Sequence, residues 1–358
     1  MLVTKSHSSL ATRECQPIRS VQPIRSRASI APSSVSSGNV ANPHLEARVC
    51  RRSLMVTAVG AATGLPVLSA SATEASSDLL VVGPGVLGGY AGHLWLGAHP
   101  GTTVVGLTNS TNNHSRLTHL GLQPMVKGVL EADRKFPFVL FSAPPSGAAD
   151  YAGEVKAALA HWDSAAPGAT FVFTSSMGVC SVDDGGLVRE DCPLMAPGAS
   201  PSSDRMLAAE QATLQAGGCV VRLVGLYHAQ RGAHTYFLRI KEVPRPGDYT
   251  VNLIHYEDAA RLAVSVLAGE GTGPFRERVF LGCDNHPIKF RDMIEACYKS
   301  PQFAGQGPVT WLQPDGGASQ GKRADNSATR DALGGWAPKY DSFSAFMAEH
   351  GGRDWYSD

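Results

Sequence analysis

No two cysteines in this 358-residue chain are spaced as C-x-x-C, which removes the commonest zinc and dithiol signatures. The seven cysteines are Cys15, Cys50, Cys180, Cys192, Cys219, Cys283 and Cys297. Their spacing suggests no disulfide framework, and the simplest reading makes them small buried or surface thiols. Charged residues are sparse at 17%, and no long basic run occurs. Beyond residue 72, acidic residues outnumber basic ones by 29 to 23, so nucleic acid is not expected as a partner. No stretch after residue 78 is long and apolar enough to span a bilayer. Asp183-Asp184-Gly185-Gly186 reads as a turn and is too poor in ligands for a calcium loop, so no metal is expected.

The shortage of acid is sharpest at the N-terminus. Residues 1–72 carry eight Lys/Arg against two acidic residues. Residues 1–50 are rich in Ser, Ala, Arg and Pro, and repeat Gln-Pro-Ile-Arg-Ser at residues 16–20 and 22–26. Such a segment has too little apolar surface to fold, and its composition is that of a plastid transit peptide. Arg51 and Arg52 then precede an uncharged run from Ser53 to Ala72 that ends Ala70-Ser71-Ala72. Twin arginines, an apolar run and A-x-A form an export signal, here assigned to residues 51–72. Two placements fit: the thylakoid lumen, which the bipartite pattern favours, or the stroma if the whole leader is one transit peptide.

The body of the chain opens on Leu79–Val82, a short continuous apolar run expected of a strand buried on both faces. Gly83-Pro84-Gly85-Val86-Leu87-Gly88 follows as G-x-G-x-x-G, and a helix is predicted through Tyr90–Leu96. The first glycine permits the tight turn, the second admits a pyrophosphate, and the third lets helix and strand pack closely. The helix N-terminus then faces the phosphates. A dinucleotide is therefore the expected ligand, held by Gly83, Gly85, Val86, Leu87 and Gly88.

A second strand is predicted at Thr103–Leu107. An NAD site usually has an acidic residue at this strand's end to grip the ribose. Here Thr108 and Asn109 lead into a polar stretch ending in Arg116, and no acidic residue occurs from Leu79 to Leu130. Hydroxyls, amides and Arg116 suit a 2′-phosphate, so NADP is favoured over NAD, although NAD is not excluded; an exposed helix arginine is the alternative reading of Arg116. A third strand is predicted at Phe138–Ser142, leading into Ala143-Pro144-Pro145. A helix is predicted from Tyr151 to about Trp162, and a fourth strand at Thr170–Ser175. Alternating strands and helices predict an α/β fold: a Rossmann doubly wound parallel sheet with a smaller C-terminal substrate-side region. The expected domain covers residues 78–345, with substrate-side insertions from about residue 228 and a tail at 346–358.

With these elements in place, the chain resembles the extended and atypical short-chain dehydrogenase/reductase superfamily, in particular its NAD-dependent epimerase/dehydratase-like members. The resemblance runs from about Asp78 to Ala345. It rests on the glycine turn, on Ala143-Pro144-Pro145, and on Phe171 to Cys180, which is similar to the strand bearing the family's catalytic Ser/Thr. Glu190-Asp191-Cys192-Pro193 is similar to its acidic-Pro loop, and Val221-Arg222-Leu223 with Gly225-Leu226-Tyr227 to its R-x-x-x-I-Y-G strand. Asn252 to Asp258 resembles its N-x-I-H-v-x-D element. Gly321 to Arg323, Asn326, Leu333 to Trp336 and Pro338 to Tyr340 match its late segments.

The resemblance implies that Ala143, Pro144 and Pro145 lie beside the cofactor and that Ser176 is the catalytic serine. A strand-end serine capping the backbone is the competing reading of Ser176. Other members carry Tyr-x-x-x-Lys before a helical Glu; aligned on Glu210, this chain has Ser202 and Met206 at those two places, and no Tyr-x-x-x-Lys occurs anywhere. Cys180 also replaces the usual tyrosine of Ser-Ser-x-x-Val-Tyr. Arg205 reads best as a surface helix arginine, His255 as a packed histidine, and Asp258 as serving the start of a helix that runs through Leu267. Two function classes remain open: an oxidoreductase or epimerase acting on a small plastid metabolite with weak generic activity, or a non-catalytic nucleotide-binding factor of thylakoid assembly or redox sensing, with a protein partner there. The substrate is not legible, because residues 228–250 and 270–320, expected to shape its pocket, match no motif.

Overall fold

The computed structural model describes residues 76–146 and 148–349. The leader expected over residues 1–72 lies outside the described residues, as do residues 350–358 of the expected tail.

Seven strands form one all-parallel sheet: β1 (Leu79–Val82), β2 (Val104–Thr108), β3 (Gln123–Val126), β4 (Phe138–Phe141), β5 (Thr170–Ser176), β6 (Cys219–Leu223) and β7 (Val279–Gly282). Their spatial order is β7-β6-β5-β4-β1-β2-β3. This is the doubly wound order, whose direction reverses between β1 and β4. The central strands are continuously apolar because helices cover both faces: Leu79, Leu80 and Val81 of β1 are fully buried, as are Val139, Leu140 and Phe141 of β4. The helices among the described residues are α1 (Val86–Ala98), α2 (His114–His119), α3 (Tyr151–Leu159), α4 (Pro201–Gln215), α5 (Ala233–Ile240), α6 (Tyr256–Ala268), α7 (Phe290–Lys299), α8 (Ser327–Ala332) and α9 (Phe343–Glu349); α1 packs with α6, and α3 with α4. Strand β3 is absent from the sequence reading, which takes β4 as the third strand. Gln123-Pro124-Met125-Val126 pairs only with β2, at the sheet edge, where Pro124 is tolerated and burial is partial.

The substrate-side region has its own apolar cluster. Tyr227, Val243, Met293, Cys297, Phe343, Phe346 and Met347 are among its most buried members. Helix α9 (Phe343–Glu349) carries the fold four residues past the boundary expected at 345, because Phe346 and Met347 are core residues. His255 packs as expected, its ring 4.1 Å from that of Tyr340 and 5.0 Å from that of Phe346. Asp258 lies in the first turn of α6, but its carboxylate chiefly ties down the C-terminal segment: Oδ1 accepts from the Lys339 amide at 2.6 Å and Oδ2 from the Tyr340 amide at 3.0 Å.

The structure corrects two local readings. Asp184 to Gly186 has turn chemistry, with Gly185 at φ 80° and Asp184 Oδ1 accepting from the Gly186 amide at 3.0 Å. It nevertheless opens the strand Asp184–Val188, because Gly321–Ala324 pairs alongside it. The second correction concerns the thiols: Cys180 and Cys192 form a disulfide. The intervening loop folds back on itself, with the Ser181 amide donating to the Pro193 carbonyl and the Met195 amide to the Val179 carbonyl, both at 2.8 Å. Closing so short a loop restrains the unfolded chain by roughly 3 kcal/mol in the chain-entropy view.

Asp284 makes stability depend on pH. Burial pushes its carboxyl up to about 7; the His286 amide, which donates to Oδ1 at 2.8 Å, opposes this only in part. Between the unfolded value near 4 and about 7, the folded carboxyl keeps a proton that the unfolded chain has released. The unfolded state then binds fewer protons, so this group lowers stability as pH rises through that window. His234 has the opposite slope, since burial holds its imidazole down at about 4. Asp284→Asn should therefore flatten the fall in stability between pH 4 and pH 7, read from denaturant midpoints along a pH series. An unchanged profile would assign that slope to other groups.

Candidate dinucleotide and active site

The reversal of strand order opens a crevice at the carboxyl ends of β1 and β4, and a cavity of about 610 Å³ lies there. Gly83, Gly85, Val86, Leu87 and Gly88 line it, as do Thr108, Asn109, Ala143, Pro144, Pro145 and Ser176. Of the residues expected at the site, only Arg116 is not part of the lining. Its Nη2 donates to the Gly85 carbonyl at 3.0 Å, so the guanidinium, carried on the helix that follows β2, lies against the glycine turn.

The turn's shape depends on its glycines. Gly83 has φ 75°, and a Cβ there would sit 2.4 Å from the Ala143 Cα. A Cβ on Gly88 would meet Ser142 Oγ at 2.5 Å and Val81 Cγ1 at 2.8 Å, as the close helix–strand contact requires. Gly85 differs: a Cβ there has nothing nearer than the Gly83 carbonyl at 4.0 Å. The space into which an added Cβ would point belongs to the cavity. Helix α1 begins at this turn with no acidic residue in its first turn and no side chain capping it. Its unsatisfied amides and positive end are therefore available to an anion. Glycine turn, bare helix start and cavity together fit the pyrophosphate of a dinucleotide.

Among the described residues no carboxylate lines the cavity; Thr108, Asn109, Ser110 and Asn113 are among its polar lining. Tyr151 also lines it and donates to the Ala143 carbonyl at 2.7 Å. This bond fixes the Ala143 loop, and burial, with Glu154 nearby, pushes the phenol well above its ordinary range.

At the far end of the cavity lie Ser176, Met206, Leu223, Val224, Leu226, Arg231 and Tyr256. Ser176 Oγ accepts from the Gly178 amide at 3.1 Å, so the capping role is real, and the residue lines the cavity. Ser175 points the other way, donating to Glu210 Oε1 at 2.5 Å. Glu210 also pairs with Arg222 through contacts at 2.7 and 3.0 Å, and Arg222 donates to the Glu190 carbonyl at 3.0 Å. This buried network ties β5, α4, β6 and the acidic-Pro loop together behind Ser176. Met206 lines the cavity where the resemblance expects lysine, but Ser202, where it expects tyrosine, is exposed and outside the lining. Arg205 is an exposed helix residue whose Nε donates to the Pro201 carbonyl. Arg231 and Tyr256 were not singled out from sequence. Tyr256 stands inside a recognised element, between His255 and Glu257, where the resemblance has an aliphatic residue.

The sequence matches no protein-family model and no curated protein sequence. Solved structures do match the fold. A conserved protein of Silicibacter pomeroyi aligns with TM-score 0.60 at 20% identity, over 77% of this chain and 99% of its own. UDP-glucuronic acid 4-epimerase from Bacillus cereus, in complex with NAD, aligns with TM-score 0.59 at 16% identity, over 76% and 94%. dTDP-glucose 4,6-dehydratase from Bacillus anthracis, also in complex with NAD, aligns with TM-score 0.57 at 16% identity, over 77% and 96%. The chain thus has the Rossmann fold of the NAD-dependent epimerases and dehydratases.

Proposed function

We propose that this protein binds a nicotinamide dinucleotide, NADP(H) in preference to NAD(H), and acts as an oxidoreductase or epimerase on a small plastid metabolite. The observation that carries this reading is the cavity itself: a glycine turn and an uncapped helix start at one end, Ser176 at the other. The likeness to NAD-bound epimerases and dehydratases supports the same ligand class. The preference for NADP rests on the absence of any carboxylate from the lining and on the nearby Arg116 guanidinium. The bound nicotinamide would supply or accept hydride; Gly83, Gly85 and the start of α1 would hold the phosphates, and Ser176 would orient a substrate oxygen. Ser176→Ala should leave dinucleotide affinity within about twofold and lower turnover by roughly 10²-fold, the scale of a lost catalytic contact. Equal turnover in the variant would move the catalytic groups elsewhere.

A second reading, a nucleotide-binding assembly or redox-sensing factor of the thylakoid, draws on Met206 and the exposed Ser202, which leave the family's proton-transfer pair unfilled. Dinucleotide binding without turnover on any carbonyl or alcohol panel favours it.

Placement in the thylakoid lumen is part of the proposal. The leader pattern supports it, and the Cys180–Cys192 disulfide suits an oxidising compartment. The mature chain should start near Thr73; N-terminal sequencing of protein from fractionated plastids checks this, and a start before Arg51 would contradict it.

A further inference from the structure

A second cavity, of about 640 Å³, adjoins the dinucleotide cavity. The two share Arg231 and Tyr256, which therefore stand at their junction. Arg231 follows the strand Gly225–Tyr227, and Tyr256 is the first residue of α6. Arg231 Nε donates to the Tyr256 Oη at 3.0 Å. Tyr256 thus lines both cavities, and the Arg231 guanidinium is hydrogen-bonded to its phenol oxygen.

The rest of the second cavity has one chemical character. Arg239 and Tyr236, on α5 (Ala233–Ile240), stand over one another, with the Arg239 guanidinium carbon 5.6 Å from the Tyr236 ring centre. Gln230 and Thr235 add neutral polar groups, and among the described residues no carboxylate lines this cavity either. Glu257, the nearest acidic residue in sequence, is engaged elsewhere: both its oxygens accept from Lys339 Nζ at 3.0 Å, and Oε2 also accepts from Tyr340 Oη. Two guanidiniums in a lining that holds no carboxylate among the described residues, beside an exposed aromatic ring, suit a flat molecule bearing an oxyanion.

We propose that Tyr256, held by Arg231, is the proton donor of this site, and that the second cavity takes a carbonyl substrate carrying a carboxylate or phosphate, bound at Arg239. This rests on the dinucleotide reading above. In the reduction, a hydride and a proton add across the substrate C=O. Its π bond breaks, new C–H and O–H bonds form, the carbonyl is reduced and NADPH is oxidised. The proton comes from the Tyr256 Oη, which recovers one from water at the open mouth. Negative charge developing on that oxygen meets the Arg231 guanidinium, a role that the Met206 thioether cannot fill. Ser202, exposed on α4, cannot supply the proton from outside the cavity.

The test uses three aldehyde probes: 4-carboxybenzaldehyde, 4-formylphenyl phosphate and uncharged benzaldehyde. Calorimetry first records NADP⁺ binding, then probe binding to the NADP⁺ complex. At least one charged probe should bind tenfold or more tighter than benzaldehyde, and the stronger of the two identifies the anion. Arg239→Ala should reduce that preference to threefold or less without changing NADP⁺ affinity. Tyr256→Phe should leave both binding steps intact and cut NADPH-dependent reduction of the preferred probe by roughly 10²-fold or more. NADP⁺ binding without charge preference, including no binding of any probe, overturns this assignment alone. So does wild-type reduction that is absent or undiminished in Tyr256→Phe. Failure of NADP⁺ to bind overturns the dinucleotide reading and this assignment with it.

Discussion

Arg222→Met should destabilise the fold by about 3–5 kcal/mol, the cost of leaving a buried carboxylate without its partner. For a domain of this size that lowers the melting temperature by roughly 10 °C or more. The Glu210 side chain is 4% exposed and that of Arg222 5%, so water cannot replace the lost pairing. Ser175 alone would remain as a donor to the carboxylate. The Arg222 guanidinium also holds the Glu190 carbonyl and lies 3.6 Å from Cys192 Sγ, so the acidic-Pro loop loosens at the same time. The double variant Arg222→Met/Glu210→Leu should recover most of the loss, because removing both charges removes the unpaired one. Differential scanning calorimetry of the two variants checks this. A single variant as stable as wild type would show that the network contributes nothing to stability.

Gly85→Val should abolish dinucleotide binding at a smaller cost in stability than Gly83→Val. Gly85 has a negative φ of −71°, and outside its chain neighbours the nearest atom to an added Cβ is 4.0 Å away. The branched side chain extends into cavity space where a pyrophosphate would approach the α1 start. Loss of those amide contacts, each charge-assisted, corresponds to at least about 10²-fold in affinity. Gly83→Val is the informative contrast: the positive φ and the 2.4 Å approach to Ala143 predict a lower melting temperature as well. If Gly85→Val binds dinucleotide like wild type, the ligand of this cavity does not use the glycine turn.

What could be read in the sequence was what sterics impose locally. A strand buried on both faces has to be apolar throughout, and a turn as tight as residues 83–88 has to be glycine at set places. Both leave marks that no neighbour can erase, so β1, the turn and α1 were legible; Ser176 came from the family resemblance instead, and it lines the cavity. Features set by distant partners were not. Strand β3 is polar at one end and contains Pro124, and only its pairing with β2 makes it a strand. Asp184–Val188 looks like a turn until Gly321–Ala324 lies beside it. Cys180 and Cys192 are brought together by the path of the loop between them. Tyr256 lay in a recognised element, but the sequence does not say that its phenol meets Arg231 between two cavities. Arg116 was picked for its charge, and its carbonyl partner at Gly85 lies 31 residues upstream.

Calorimetric titration of the wild-type protein with NADPH and with NADH tests the central claim most directly. The predicted result is saturable binding of NADPH, tighter than NADH, with the NADPH affinity weakened by Arg116→Ala. A charge-assisted contact to the 2′-phosphate is worth roughly 1.5–3 kcal/mol, so the weakening should be about tenfold or more. Tighter binding of NADH, or indifference to Arg116→Ala, would contradict the proposed phosphate contact. No saturable heat with either dinucleotide would contradict the account as a whole.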